Sequence, residues 1–153
     1  MAGGKVEGDL LQLALAGTFD VIVHGCNGFH EMGAGIAKPI KQLFPEAYEA
    51  DKQTSYGGKE KLGTISTAKI ERGDVMFHVV NAYTQHHYRG HGRKVSYEAI
   101  RSCFEEIAVR FPRSKIGYPF IGAGLGGGDW VKIESIINEA LEGIDHTLVV
   151  LQY

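Results

Sequence analysis

Cysteine is scarce in this chain: Cys26 and Cys103 are the only two in 153 residues. Two thiols are too few for a disulfide framework, and neither sits in CxxC spacing or beside a ligand cluster, so they read as reduced thiols of an intracellular protein. An excess of positive charge is also missing. Sixteen Lys and Arg against eighteen Asp and Glu leave a formal charge of -2. That balance provides no broad electropositive field for sequence-independent nucleic-acid binding, so nucleic acid is not indicated as a partner. No apolar run approaches the roughly 18 residues of a membrane span, and Met1-Ala2-Gly3-Gly4 lacks a basic region leading into an apolar stretch. A soluble, monomeric, cytoplasmic protein with no membrane partner is expected.

Hydrophobic residues make up 44% of the chain and charged residues 22%, an ordinary globular balance with no polar tract too poor in apolar residues to fold. The length suits one domain spanning 1–153 and not two independent cores. The one excess is glycine, 21 residues, gathered in clusters that mark places where backbone must approach something closely or turn sharply.

Hydrophobic periodicity and turn residues give an order of elements. After a first strand, Leu10 to Ala16 reads as a short helix closed by Gly17. Val21-Ile22-Val23-His24 reads as a buried strand, followed by a glycine loop, Gly25 to Gly35. Ile36, Ile40, Leu43 and Phe44 then recur at helical spacing, with Pro39 in the first turns. A second helix runs from Glu46 to about Thr54. Leu62 to Ile70 and Val75 to Ala82 are strand-like, joined by the hairpin chemistry of Glu71-Arg72-Gly73-Asp74. Polar Tyr83 to Lys94 is a loop. Ser96 caps a helix from Tyr97 to Phe111 that Pro112 stops. Lys115 to Pro119 is a short strand, a second glycine loop spans Phe120 to Asp129, a helix runs from Trp130 to Leu141, and Thr147 to Leu151 is the last strand. Strand, helix, strand, two helices, hairpin, helix, strand, helix, strand is the order of an α/β protein, a mixed sheet with helices on both faces.

Both glycine loops follow a strand and precede a helix, the position from which open α/β sheets bind ligands. The first places Gly28, Gly33 and Gly35 ahead of a helix whose amino end favours an anion. The second, Ile121 to Asp129, holds five glycines: Gly122, Gly124, Gly126, Gly127 and Gly128. Alone, either loop reads as a structural turn as readily as a ligand site. Together, in matching positions, they suit a diphosphate held from two sides by main-chain amides.

Three blocks carry a resemblance: Gly8-Asp9-Leu10-Leu11; Val23-His24-Gly25-Cys26-Asn27 with Met32 to Ala37; and Pro119 to Trp130. In order, they resemble the macrodomain family, and more narrowly the branch of yeast-type ADP-ribose-1''-phosphate phosphatases with related terminal ADP-ribose hydrolases. The resemblance implies a three-layer α/β/α fold with a mixed sheet and ADP-ribose or ADP-ribose-1''-phosphate in a cleft, without a cofactor. By analogy, Asp9 accepts from the adenine amino group, assisted by the Leu10 amide. Asn27 holds the distal ribose. Gly33, Ala34, Gly35 and Ile36 line that ribose and the diphosphate, and Ile121, Gly122, Ala123, Gly124, Leu125 and Gly126 wrap the phosphates.

Hydrolysis at the anomeric carbon needs a group to activate water and a group to protonate the departing oxygen. His24, at the end of a buried strand, Asp129, at the head of a helix, and His30, within the first loop, are the candidates. Each has a structural alternative: a satisfied core histidine, a helix cap and a solvated loop residue. His78, His86, His87 and His91 raise the question of metal, but Gly90 and Gly92 oppose the helix that would bring His87 and His91 together, so no metal is expected. Tyr97 reads as packing the helix start, Trp130 as core, and Tyr153 as a residue able to stack on adenine. Asn81 to Gln85 follows a strand and is expected to border the distal-ribose pocket; relatives that remove ADP-ribose from glutamate or from thymidine in DNA carry a lysine in this region, and an acidic residue where this chain has Gly126. Both are absent here. The expected activity is conversion of ADP-ribose-1''-phosphate to ADP-ribose and phosphate. A non-catalytic ADP-ribose reader, and a hydrolase removing ADP-ribose from protein or nucleic acid without the lysine, remain the alternatives.

Overall fold

A computed structural model describes residues 3–88, 92–124 and 126–151. Leu125, Gly90, His91 and Tyr153, all named above, lie outside the described residues. The elements are β1 (Gly4–Glu7), α1 (Leu10–Leu15), β2 (Val21–Cys26), α2 (Ala37–Leu43), α3 (Pro45–Lys52), β3 (Ile65–Arg72), β4 (Val75–Tyr83), α4 (Tyr97–Arg110), β5 (Ile116–Tyr118), α5 (Trp130–Ala140) and β6 (His146–Val150). Their order is the one the periodicity gives. β2 runs two residues further than expected, because Gly25 pairs with Ala82 and Cys26 with Tyr83. The stretch expected as strand from Leu62 starts at Ile65, behind a 3-10 turn at Lys59–Lys61.

The strands form one six-stranded sheet in the order β1-β6-β5-β2-β4-β3. Every neighbouring pair is parallel except β3 with β4. That exception is the hairpin: Arg72 faces Val75, and Gly73, at φ 60°, takes the left-handed conformation the two-residue turn requires.

The continuous apolar runs of the central strands follow from burial on both faces. Val21 and Val23 point to one side and Ile22 to the other; Val80 and Val79, and Leu148 and Val149, split in the same way. The first side is covered by α4 and α5. α4 begins where Ser96 Oγ accepts from the Ala99 amide at 3.1 Å and packs Ile100, Cys103, Phe104 and Ile107 inward at helical spacing. α5 adds Ile133, Ile136 and Ile137. The opposite side is covered by α1, α2 and α3 through Leu10, Leu11, Ala14, Ile40 and Ala47, with Phe44 between the last two helices. The result is the three-layer α/β/α arrangement.

Because β1, β6, β5, β2 and β4 are mutually parallel, their carboxyl ends emerge along one edge of the sheet. Four intervals of about 4.8 Å make that edge roughly 19 Å long. The loops after β1, β5, β2 and β4 therefore open side by side.

Truncating Ile107, fully buried between α4 and the sheet, removes contacts that neighbouring side chains cannot replace. Ile107→Ala is expected to lower unfolding stability by about 2–5 kcal/mol, read as a reduced urea midpoint at unchanged slope.

Candidate functional site

A cleft of about 860 Å³ lies along that edge. From the β1 end to the β4 end it is lined by Gly8 to Leu11, Leu151, Pro119 to Gly122, Gly124, Gly126, Gly25 to Asn27, Glu31, Gly33 to Ala37, and Thr84, Gln85 and Tyr88. The two glycine loops thus share one groove. Of the residues expected to bind ligand, Asp9, Leu10, Asn27, Gly33, Ala34, Gly35, Ile36, Ile121, Gly122, Gly124 and Gly126 line it; Ala123 does not.

No Lys, Arg or His lines the cleft among the described residues. Among those residues, the amides of Gly33, Ala34, Gly35 and Ile36 donate to no backbone carbonyl, and all four residues line the groove. The glycines of the second loop divide by cause. A Cβ on Gly122 would meet Val95 Cγ2 at 2.8 Å, and its φ is 75°, so packing and backbone conformation both demand glycine. A Cβ on Gly124 would meet nothing within 4 Å. Packing against the described residues therefore does not require glycine there.

At the β1 end, Asp9 Oδ1 accepts from the amides of Leu11 at 2.9 Å and Gln12 at 3.2 Å, capping α1. Asn27, toward the other end, shapes its own loop. Its Nδ2 donates to the Glu31 carbonyl at 2.9 Å, and its Oδ1 accepts from Phe29 N–H at 2.9 Å.

The three expected catalytic side chains are placed elsewhere. His24 does not line the cleft. It points to the α1–α3 side, is fully buried, and its Nε2 lies 2.6 Å from Asn81 Oδ1. Asn81 Nδ2 donates to the Ala47 carbonyl and to Ser66 Oγ, both at 3.0 Å. Since a carbonyl can only accept, Asn81 Oδ1 is the acceptor for His24 and the proton sits on His24 Nε2. The chain continues from Ser66 to the Tyr83 hydroxyl at 2.8 Å and on to Asp51 Oδ1 at 2.8 Å. His24 is therefore a core histidine fixed by a directed hydrogen-bond network. His30, held at φ 55°, turns its Nε2 to the Thr54 carbonyl at 3.0 Å. Asp129 is the cap of α5: its carboxylate accepts from Val131 N–H at 3.0 Å, while its own amide donates to the Tyr97 hydroxyl at 3.1 Å.

The tertiary structure also brings in Glu31, Lys61 and Phe29, to which sequence reasoning assigned no function. Glu31 and Asp9 are the carboxylates of the cleft, and a Cβ on Gly33 would sit 3.1 Å from Glu31 Oε1. Gln85 lines the cleft and donates from Nε2 to the His87 carbonyl at 2.8 Å. Lys61 stops short of the cleft. Its Nζ donates to Thr54 Oγ1 at 2.7 Å and lies 4.7 Å over the Tyr83 ring, and burial holds its ammonium below the usual lysine range. Beside this end of the groove, Phe29 meets Tyr56, His86, His87 and Tyr88 at centroid distances of 5.5, 5.0, 5.0 and 6.1 Å. Runs of aromatic and histidine residues split between two segments, 29–30 and 86–88, were the only trace of this shelf in the sequence.

A model of the Macro domain family matches residues 23–137. An uncharacterized 17.5 kDa protein of enterobacteria phage T4 is 37% identical over 138 residues, which cover 87% of this chain and 86% of that protein. A DNA ADP-ribosyl glycohydrolase of Thermus aquaticus is 29% identical over 147 residues, covering 92% of this chain but 38% of the enzyme, so this chain spans well under half of that relative. A solved Bacteroides thetaiotaomicron protein of unknown function superposes with a TM-score of 0.81 at 28% identity over 98% of both chains. The activity named among these relatives is glycohydrolysis of DNA-linked ADP-ribose, not the phosphatase reaction of the narrower resemblance.

Burial pushes the His24 imidazole below its ordinary value, outweighing the Asn81 hydrogen bond and the charge of Asp51. Burial likewise lowers His78 and His146. As pH falls, each of these groups takes its proton first in the unfolded chain, so the stability linked to them is fully present above the unfolded value of about 6.5 and is lost as pH falls below it toward and through the lowered folded values. The urea midpoint is expected to decline from about pH 7.5 to about pH 5.5, and His24→Gln to flatten that slope whatever its effect at neutral pH.

Proposed function

The chain belongs to the Macro domain family, and on that premise we propose that its cleft binds an ADP-ribose unit and that the protein hydrolyses the bond carrying the substituent of the distal ribose. The observation that carries this reading is the shared groove: both glycine loops face one space, with Asp9 at the β1 end and Asn27 toward the β4 end. A diphosphate in its middle meets neutral main-chain donors, which suit a bound anion without a compensating lysine or arginine. The adenine falls beside Asp9 and the distal ribose beside Asn27.

The substrate this site suits is ADP-ribose-1''-phosphate, with water adding across the scissile bond to give ADP-ribose and inorganic phosphate. Among the described residues no lysine lines the groove, so attack on an opened ribose by an amine has no local donor there. Glu31 stands at the distal end and takes the proton of the attacking water, in the role sequence reasoning gave to His24, His30 or Asp129.

A second reading, release of ADP-ribose from a nucleobase, is favoured by the rings around Phe29. Aromatic side chains at the exit of the distal pocket suit a planar leaving group. The activity of the Thermus aquaticus relative agrees with it.

Purified protein is expected to melt higher with ADP-ribose, by about 2.7 kcal/mol of stabilisation at a hundred times Kd, and to release phosphate from ADP-ribose-1''-phosphate. Glu31→Gln should lower kcat by about 10²–10⁴-fold with ADP-ribose affinity retained. Phosphate release at background alongside release of ADP-ribose from a modified oligonucleotide would select the second reading; binding with neither reaction would leave a reader module. Gly124→Val should keep the wild-type melting temperature, since a Cβ there meets nothing within 4 Å among the described residues. Its isopropyl group should nevertheless abolish measurable ADP-ribose binding by calorimetry.

A further inference from the structure

Outside the cleft, cations and aromatic rings meet at one place on the surface. Gln85 and Val95 are joined by an antiparallel bridge, so residues 86–88 leave the cleft wall beside the point where residues 92–94 return to it. The outgoing arm carries His86 and His87, each with its ring centroid 5.0 Å from that of Phe29. The returning arm is pinned to the second glycine loop. Lys94 N–H donates to the Gly126 carbonyl at 2.8 Å, and a Cβ on Gly127 would lie 2.9 Å from the Gly92 carbonyl oxygen and 3.2 Å from Arg93 Cα. Arg93 then lays its guanidinium 4.3 Å from the centroid of the Tyr97 ring, and Lys132, from α5, places Nζ 4.4 Å from the same centroid. The two charges therefore stand no more than 8.7 Å apart, on a ring whose hydroxyl is fixed by the Asp129 amide at 3.1 Å.

Like charges held this close repel, and among the described residues the ion pairs take in neither Arg93 nor Lys132. The carboxylates at this end of α5 are turned to other donors, Asp129 to Val131 N–H and Glu134 to Trp130 Nε1. Tyr48 provides the contrast. It too has two cations over its ring, Lys41 at 4.1 Å and Lys52 at 4.8 Å, but Lys52 is paired with Glu49 at 2.8 Å. We propose that Arg93 and Lys132, mounted on the Tyr97 ring, hold the phosphates of a single-stranded nucleic acid that passes from there to the rings around Phe29. Cations for a backbone and exposed rings for its bases, on the two arms of one connection, make up a single-strand surface, whereas an acidic peptide has no use for the rings. A net charge of -2 denies the chain a broad positive field, so the attraction is local and falls steeply with salt.

This inference goes beyond the ADP-ribose reading, since Arg93, Tyr97 and Lys132 do not line the cleft, and its test uses DNA that carries no ADP-ribose. Fluorescence polarisation of a labelled strand of about 12 nucleotides is followed against salt for wild type, for Arg93→Gln/Lys132→Gln, and for Lys41→Gln/Lys52→Gln, which removes the same charge from the opposite face of the sheet. The first double variant is expected to weaken binding about tenfold and to make the salt slope shallower by about 1.4, while the second leaves both at wild type. Phe29→Leu should weaken binding at unchanged slope, and both double variants should keep wild-type affinity for ADP-ribose by calorimetry. No strand binding by wild type, equal weakening in the two double variants, a slope that Arg93→Gln/Lys132→Gln does not alter, wild-type affinity in Phe29→Leu, or equal affinity for polyglutamate of the same charge, overturns the assignment. Failure of wild type to bind ADP-ribose would instead remove the reading of the cleft and leave this surface standing.

Discussion

Parallel alignment of five strands is the constraint on which the cleft depends. Each βα connection must leave its strand at the same edge, so loops far apart in sequence, after Glu7, Cys26, Tyr83 and Tyr118, emerge as neighbours. The glycines then exploit the adjacency. Gly122 allows the second loop to fold tightly against Val95 and Ile133, while Gly124 leaves its surface bare. Main-chain donors can face a common space in this way without a cationic side chain, and a chain of net charge -2 acquires a groove suited to a small anion.

Behind the first glycine loop, the polar interior follows a different logic. The path from His24 through Asn81, Ser66 and Tyr83 to Asp51 joins β2, β4, β3 and α3. Each donor has an acceptor and the path ends on a carboxylate, an arrangement that satisfies polar groups the sheet would otherwise bury at a cost. It makes His24 a supporting residue of the strand whose end carries Asn27. The same burial that keeps its imidazole neutral removes it from contact with any ligand in the cleft.

The chemistry at the distal end is then left to few groups. Glu31 is carried by the loop that Asn27 organises, and Gln85 occupies the wall where a lysine would be needed for attack on an opened ribose. Lys61 comes from below but is retained by Thr54 and the Tyr83 ring. On the proposed reading this arrangement suits activation of water rather than amine catalysis, with the aromatic shelf bordering the departing group.

Amino-acid sequence by itself determined the order of the elements, the covering of both sheet faces and the two loops that frame the cleft, because periodicity, caps and turns act over a few residues. Val21 to Val23 announced a doubly covered strand, Ser96 and Pro112 bounded α4, and Gly73 marked the hairpin. Most of the positions expected to meet a ligand, from Asp9 to Gly126, were named from the resemblance of three short blocks, and they line one cleft. Which titratable side chain faces the groove was decided by tertiary structure alone. His24 looked like a residue at the mouth of a loop, but the two-residue alternation of β2 turns it beneath α3, where Asn81, 57 positions along the chain, completes its hydrogen bond. Glu31 and the rings around Phe29 carried no local signal, because what distinguishes them is proximity across strands, a property no short stretch of sequence contains.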